Sequence, residues 1–140
     1  MSPAEKQQLL LDEFLSIPDV QERLAAIVTR AQRDNILPTS HRTEANRVPG
    51  CISSVWLVGK IDVSTRRLRL LIDADSPLVK GLVSLLCELY DDSIPNDAAA
   101  FNSDLFDKLH IMQNLSPTRR NGLASVQARI RTIALSTSSI

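Results

Sequence analysis

Between Ser76 and Asp91 the sequence gathers Leu78, Val79, Leu82, Val83, Leu85, Leu86, Leu89 and Tyr90 in one run. Ser76 is suited to cap a helix, and Pro77 fits the first helical position, where its missing N–H is no loss. At 3.6 residues per turn these side chains cover much of the helix circumference, not a single stripe. Such a helix has to be enclosed on several sides, so it is expected to be the central, most buried element. Cys87, set among Leu85, Leu86 and Leu89, reads as a small buried hydrophobe. Lys80-Gly81 reads first as a packing position, since glycine permits close approach, and second as a docking point for a partner.

The remaining elements are the cover that this helix requires. Residues 4–15 read as a short helix with Leu9, Leu10 and Phe14, and less neatly Leu11 and Leu15, on an apolar stripe. Pro18 ends it, and Asp19 caps a second helix running to about Asp34, with Val20, Leu24, Ile27, Val28 and Ala31 at helical spacing. The two can pair antiparallel. Strands are predicted from Ser53 to Lys60 and from Arg67 to Ile72, joined by a loop over 61–65. In the second, Leu68, Leu70 and Ile72 share a face while Arg67 and Arg69 point away. This hairpin, at about 53–72, is marginal alone and needs helices on one face. Short helical pieces follow around Asn96–Phe101 and Ser103–Leu109. Ser116-Pro117 opens a last helix bearing Leu123, Val126, Ile130, Ile133 and Ala134, and residues 136–139 read as a frayed tail. The fold class is therefore α+β: a small antiparallel sheet flanked by an N-terminal helix pair and C-terminal helices, in one domain over 1–140.

Lys plus Arg and Asp plus Glu number 16 each, so zero net charge gives no general electrostatic case for nucleic acid or an anionic membrane. No apolar run reaches the ~18–20 residues that span a bilayer. Glu5-Lys6-Gln7-Gln8 near the start is unlike a secretory signal. Cys51 and Cys87 are too few for a disulfide framework and form no Cys-x-x-Cys pair, and His41 and His110 complete no zinc spacing. Free thiols point to a reducing compartment, the cytoplasm.

Cys51 stands apart from that pattern. It follows Pro49-Gly50, a turn pair, and precedes the β-branched and apolar run Ile52 to Leu57. A 15-residue connection from Ile36 to Gly50 delivers the chain to it, and connections this long are commonly functional. Arg42 and Arg47 lie nearby and favour a thiolate, the nucleophilic form. The competing reading is a strand-start cysteine facing the core. A hydrolase would need His41 or His110 as base, and both read better as surface or helix-end residues. Asp73 and Asp75 read chiefly as capping residues at a helix entrance.

Four blocks, in order, resemble the SufE/CsdE family of sulfur-acceptor proteins. Asn46 and Val48 with Gly50-Cys51-Ile52-Ser53-Ser54-Val55-Trp56 match a Gly-Cys-x-Ser-x-Val-Trp signature, although Ile52 stands where many members carry Gln. Asp73-Ala74-Asp75 is followed by Val79-Lys80-Gly81-Leu82. Leu115-Ser116-Pro117-Thr118-Arg119 leads to Gly122-Leu123. The paired N-terminal helices run into Leu37-Pro38 and Arg42. The likeness spans about residues 5–135.

The resemblance implies a fold similar to the IscU-type scaffold and a persulfide intermediate on Cys51. It implies sulfur taken from a pyridoxal-phosphate cysteine desulfurase of the SufS/CsdA type and relayed to an iron–sulfur scaffold. The pyridoxal phosphate belongs to the partner, and no cofactor or metal is implied for this chain. Asn46, Gly50, Asp73, Asp75 and Arg119 are implied as supporting or partner-binding residues. The role is that of an accessory sulfurtransferase without independent turnover, as monomer or homodimer. The alternative is a cluster scaffold using Cys51 as ligand.

Overall fold

The computed structural model describes residues 1–31, 37–50 and 54–138. Among them the elements run α1 Pro3–Leu15, α2 Val20–Arg30, β1 Val55–Ile61, β2 Leu68–Ala74, α3 Pro77–Tyr90, α4 Pro95–Ala100, α5 Leu105–Lys108 and α6 Pro117–Ser138. This is the α+β arrangement that the sequence predicts. The predicted end of the second helix, at about Asp34, lies outside the described residues.

The helix α3 is the centre of the packing. Ser76 Oγ accepts the Val79 N–H at 3.5 Å, and Pro77 occupies the first turn, as the Ser-Pro pair requires. From Gly81 to Tyr90 only Ser84 and Glu88 escape full burial. The sheet covers one side through β2, and α2, α6 and α1 cover others. A side chain at Gly81 would put its Cβ 3.0 Å from the Val28 Cα, so the absence of one lets α2 lie close against α3. Tyr90 keeps its polar tip satisfied, donating to the Phe101 carbonyl at 3.0 Å and accepting from Gln127 at 3.1 Å.

The helix α1 presents a slightly different face from the predicted one. Leu10, Leu11 and Phe14 are buried, whereas Leu9 and Leu15 are exposed. Gln7 takes the inward position one turn before Leu10 and Leu11. Its amide donates to Asp104 at 2.6 Å and its carbonyl accepts from Ser103 at 2.7 Å, which makes burial of a polar side chain acceptable. Arg30 joins three helices, contacting Glu13 of α1 and Glu88 of α3. On α6, Leu123, Val126, Ile130 and Ala134 are buried, and the helix continues to Ser138 through residues predicted as a tail.

Strands β1 and β2 pair antiparallel in the register Val55↔Ala74 to Ile61↔Leu68. Val55 and Leu57 face the core opposite Ala74 and Ile72. Here the structure corrects the sequence reading: β2 does not stop at Ile72 but carries Asp73 and Ala74 into the ladder. Asp73 is a strand residue opposite Trp56, not a helix cap.

Candidate functional site

The site is built at the end of the β1–β2 ribbon that lies nearest α3's start. Cys51, Ile52 and Ser53 lie outside the described residues, and the structure defines the frame on either side of them. On the leading side, Val48 is buried and its N–H donates to the Val55 carbonyl at 2.8 Å, while Arg47 forms an antiparallel bridge with Trp56. On the trailing side, the Ser54 carbonyl accepts the Asp75 N–H at 3.1 Å. Thus the chain leaves the ribbon after Val48, passes Cys51, and returns to it at Val55.

Gly50 sets the direction of departure. Its φ is +87°, a conformation that costs other L-residues about 1–2 kcal/mol. A Cβ built there would lie 2.8 Å from Ser125 Oγ of α6, so a side chain at this position would push that hydroxyl aside. The Pro49-Gly50 turn expected from sequence is present, and the positive φ is what calls for glycine there.

The long connection before the loop is not featureless. It holds two short 3₁₀ turns, Thr39–His41 and Glu44–Asn46, whose poorer hydrogen-bond geometry suits brief changes of direction. Leu37 N–H donates to the Ile72 carbonyl at 2.9 Å, which moors the start of this segment on β2. Asn46 Nδ2 donates to the His41 carbonyl at 2.8 Å and links the two turns.

Asp73 holds the middle of the connection. Its side chain is 2% exposed and accepts from Arg42, from Lys80 of α3 at 3.3 Å, and from the Ala74 N–H at 2.8 Å. Burial works against its ionised form, but the Ala74 N–H and the two cations outweigh it and hold the carboxyl below its usual range. The Arg42 guanidinium also lies over the Trp56 ring, 5.3 Å from its centroid, a cation–π contact across the same pair of strands. Sequence reasoning singled out Arg42 and Lys80 separately. Nothing in their spacing says that they meet on one carboxylate.

Of the other candidates, Asp75 is exposed and contributes its backbone N–H to the frame. Arg119 is exposed in the first turn of α6, where Ser116 Oγ accepts its N–H at 3.2 Å. The α6 residues that reach the leading limb are Ser125, against Gly50, and Arg129, whose Nη2 donates to the Ala45 carbonyl at 3.3 Å. Neither drew notice in the sequence. Their spacing of four residues, which puts them on one helix face, was the available signal. His41 and His110 are both exposed. Among the described residues no three His, Cys, Asp or Glu side chains gather as a metal site, and no helix is long and apolar enough to cross a membrane. Cys87 is fully buried, and desolvation, with a smaller contribution from Asp91, drives its thiol far above the usual range.

Comparison with known proteins places this geometry among relatives. A family profile described as SufE, Fe-S metabolism associated domain, matches residues 8–134. An uncharacterized SufE-like protein of Rhizobium etli is 31% identical over 125 residues, covering 87% of this chain and 84% of the relative. The chloroplastic quinolinate synthase of Nicotiana tabacum is 30% identical over 135 residues, which cover 91% of this chain but only 19% of that protein's length. The solution structure of a hypothetical protein from Thermus thermophilus superposes with a TM-score of 0.80 at 19% identity, over 100% of this chain and 99% of the other. That last likeness is one of fold.

Proposed function

The chain belongs to the SufE family, associated with Fe-S metabolism, and on that premise we propose that Cys51 is the acceptor of a sulfur relay. The donor is the cysteine persulfide of a pyridoxal-phosphate cysteine desulfurase. The Cys51 thiolate attacks the outer sulfur of that persulfide. The donor's S–S bond breaks, its cysteine leaves as a thiolate, and Cys51 becomes a persulfide carrying the transferred sulfur with its hydrogen. One S–S bond forms as one breaks, so no external oxidant or reductant is needed. The sulfur then passes to iron–sulfur cluster assembly. No histidine base is required, because the attacking group is already an anion.

One observation carries the reading: the segment bearing Cys51 is closed at its base by Val48–Val55 and tied again by Ser54–Asp75. A cysteine on a short segment between fixed ends can be offered to another protein's active site, as one inside a helix cannot. Asn46, Gly50, Asp73 and Asp75 serve by holding that base, through the links 46–41, 50–125, 73–42 and 75–54. Arg119 supplies positive charge to the thiolate or the partner. The unit works as one domain, in the reducing cytoplasm that two free thiols fit.

The test is intact mass after incubation with a desulfurase and cysteine. One sulfur, ~32 Da, adds to the wild type and to Cys87→Ser but not to Cys51→Ser. No adduct on the wild type, or an adduct that survives Cys51→Ser, defeats the proposal.

A further inference from the structure

We propose that the groove between the Glu44–Asn46 turn and α6 receives an acidic side chain of the desulfurase, with Arg129 as the residue that recognises it. This rests on the relay reading above and adds the chemistry of the contact. The groove has a volume of about 460 Å³ and is lined by Glu44, Ala45 and Arg47, by Val48, Pro49 and Gly50, and by Arg129. Gly50 is the neighbour of Cys51, so whatever fills the groove lies one residue from the thiol. A protein that delivers sulfur to Cys51 has to bring its own surface to this place.

The charges of the groove are unequal. Arg129 is half-buried, and among the described residues it has no carboxylate partner. Its contact there is the single hydrogen bond to Ala45. A guanidinium carries five N–H donors in a fixed fork that fits a carboxylate, so most of this one's capacity is unused. Among the described residues the carboxylate that Arg47 meets is that of Glu44, at 3.8 Å, and the Glu44 side chain is 89% exposed, which makes for a weak pair. Two cations thus face one solvated anion. The opposite side of the loop base differs, because Arg42 and Lys80 are both committed to the buried Asp73. Around the groove, Arg129 and Arg47 therefore keep unsatisfied positive charge, and an incoming carboxylate would be held by Arg129 and favoured by Arg47.

The experiment measures the initial rate of sulfur loading against the concentration of this protein, with a fixed, limiting amount of holodesulfurase and saturating cysteine. Arg129→Glu is expected to raise the half-saturating concentration about tenfold or more while the plateau rate stays within about twofold, and Arg129→Lys to lie between it and the wild type. Raising the salt concentration should weaken the wild type more than Arg129→Gln, which has no charge to screen. Thermal melting and the rate of Cys51 alkylation report whether a variant keeps its fold and loop. If Arg129→Glu destroys the fold, Arg129→Gln and the salt series decide the question. An unchanged half-saturating concentration in a folded variant overturns the groove assignment and leaves the relay standing. A lowered plateau at unchanged half-saturation also overturns it, since Arg129 would then act on the chemistry and not on docking. If the wild type takes up no sulfur, the relay reading fails and the assignment goes with it.

Discussion

Cys87 and the segment that carries Cys51 are both fastened to the β1–β2 ribbon, by opposite means. Cys87 sits in α3, the helix that lies against β2, and its side chain has no exposed surface. Burial keeps its thiol protonated, so it behaves as a small apolar side chain. The Cys51 segment is instead held by its ends: the Val48–Val55 and Ser54–Asp75 hydrogen bonds fix where it leaves and re-enters the ribbon. Under the proposed relay, the same side chain serves packing in one place and chemistry in the other. What separates them is the backbone around them: Cys87 lies within a hydrogen-bonded helix, whereas the described bonds of the other segment are those that flank it, at Val48–Val55 and Ser54–Asp75.

The sharpest way to break this contrast is thiol labelling followed by mass spectrometry. In the native protein Cys87 should react with iodoacetamide at least about a thousandfold more slowly than in urea, because exposure requires opening the core. Native labelling at a rate near that in urea would remove the sealed half of the comparison. Next in size is Asp73→Asn, which leaves Arg42 and Lys80 without their shared anion. Breaking a buried pair costs ~3–5 kcal/mol, but both cations can turn partly to water here, so about 2–3 kcal/mol is expected in urea unfolding. No loss of stability would mean that this anchor is idle.

Acid probes the same carboxylate. Its pKa is held below the ordinary value of 3.8, so its contribution is present above that value and disappears as pH falls through the folded pKa. Wild-type stability should therefore drop steeply below about pH 4, and Asp73→Asn should drop less. Parallel curves for the two proteins would show that other carboxylates control the acid transition. Cys87→Ser places a hydroxyl where the thiol is enclosed by apolar groups and should cost about 1–3 kcal/mol, with sulfur loading unchanged. The smallest effect is expected from Gly50→Ala, about 1–2 kcal/mol for the positive φ, together with slower sulfur loading as the turn shifts away from Ser125. If Gly50→Ala loads sulfur at the wild-type rate, the turn does not govern how Cys51 is offered.

Periodicity made the helical frame legible. The apolar circumference of α3, the cap at Ser76 and the buried place of Cys87 follow from residues close together in sequence, and each is found. The hairpin and the turn at Gly50 also follow from local rules. What local rules misread is Asp73. An aspartate three residues before a Ser-Pro pair looks like part of a helix entrance, yet the ladder with Trp56 keeps it in β2. Its partners come from 31 residues upstream and from the next helix, a meeting that only the fold creates. The 3₁₀ turns of the connection are too short to leave a period. The contacts of Ser125 and Arg129 with the loop depend on the rotation of α6 about its axis, which is set by packing against the sheet and α4.

The closure at Val48 and Val55 also sets a length. Seven Cα–Cα steps separate these two residues, and a chain extends at most ~3.6 Å per residue, so its contour between them is about 25 Å. Because both ends are pinned at nearly the same point, the tip can stand no more than roughly 12 Å from the hydrogen bond that closes the base. The bond between Val48 and Val55 therefore works as the peg of a tether: a group that is to meet the Cys51 thiol has to come within that radius plus the few ångströms of the side chain, unless the ribbon itself opens.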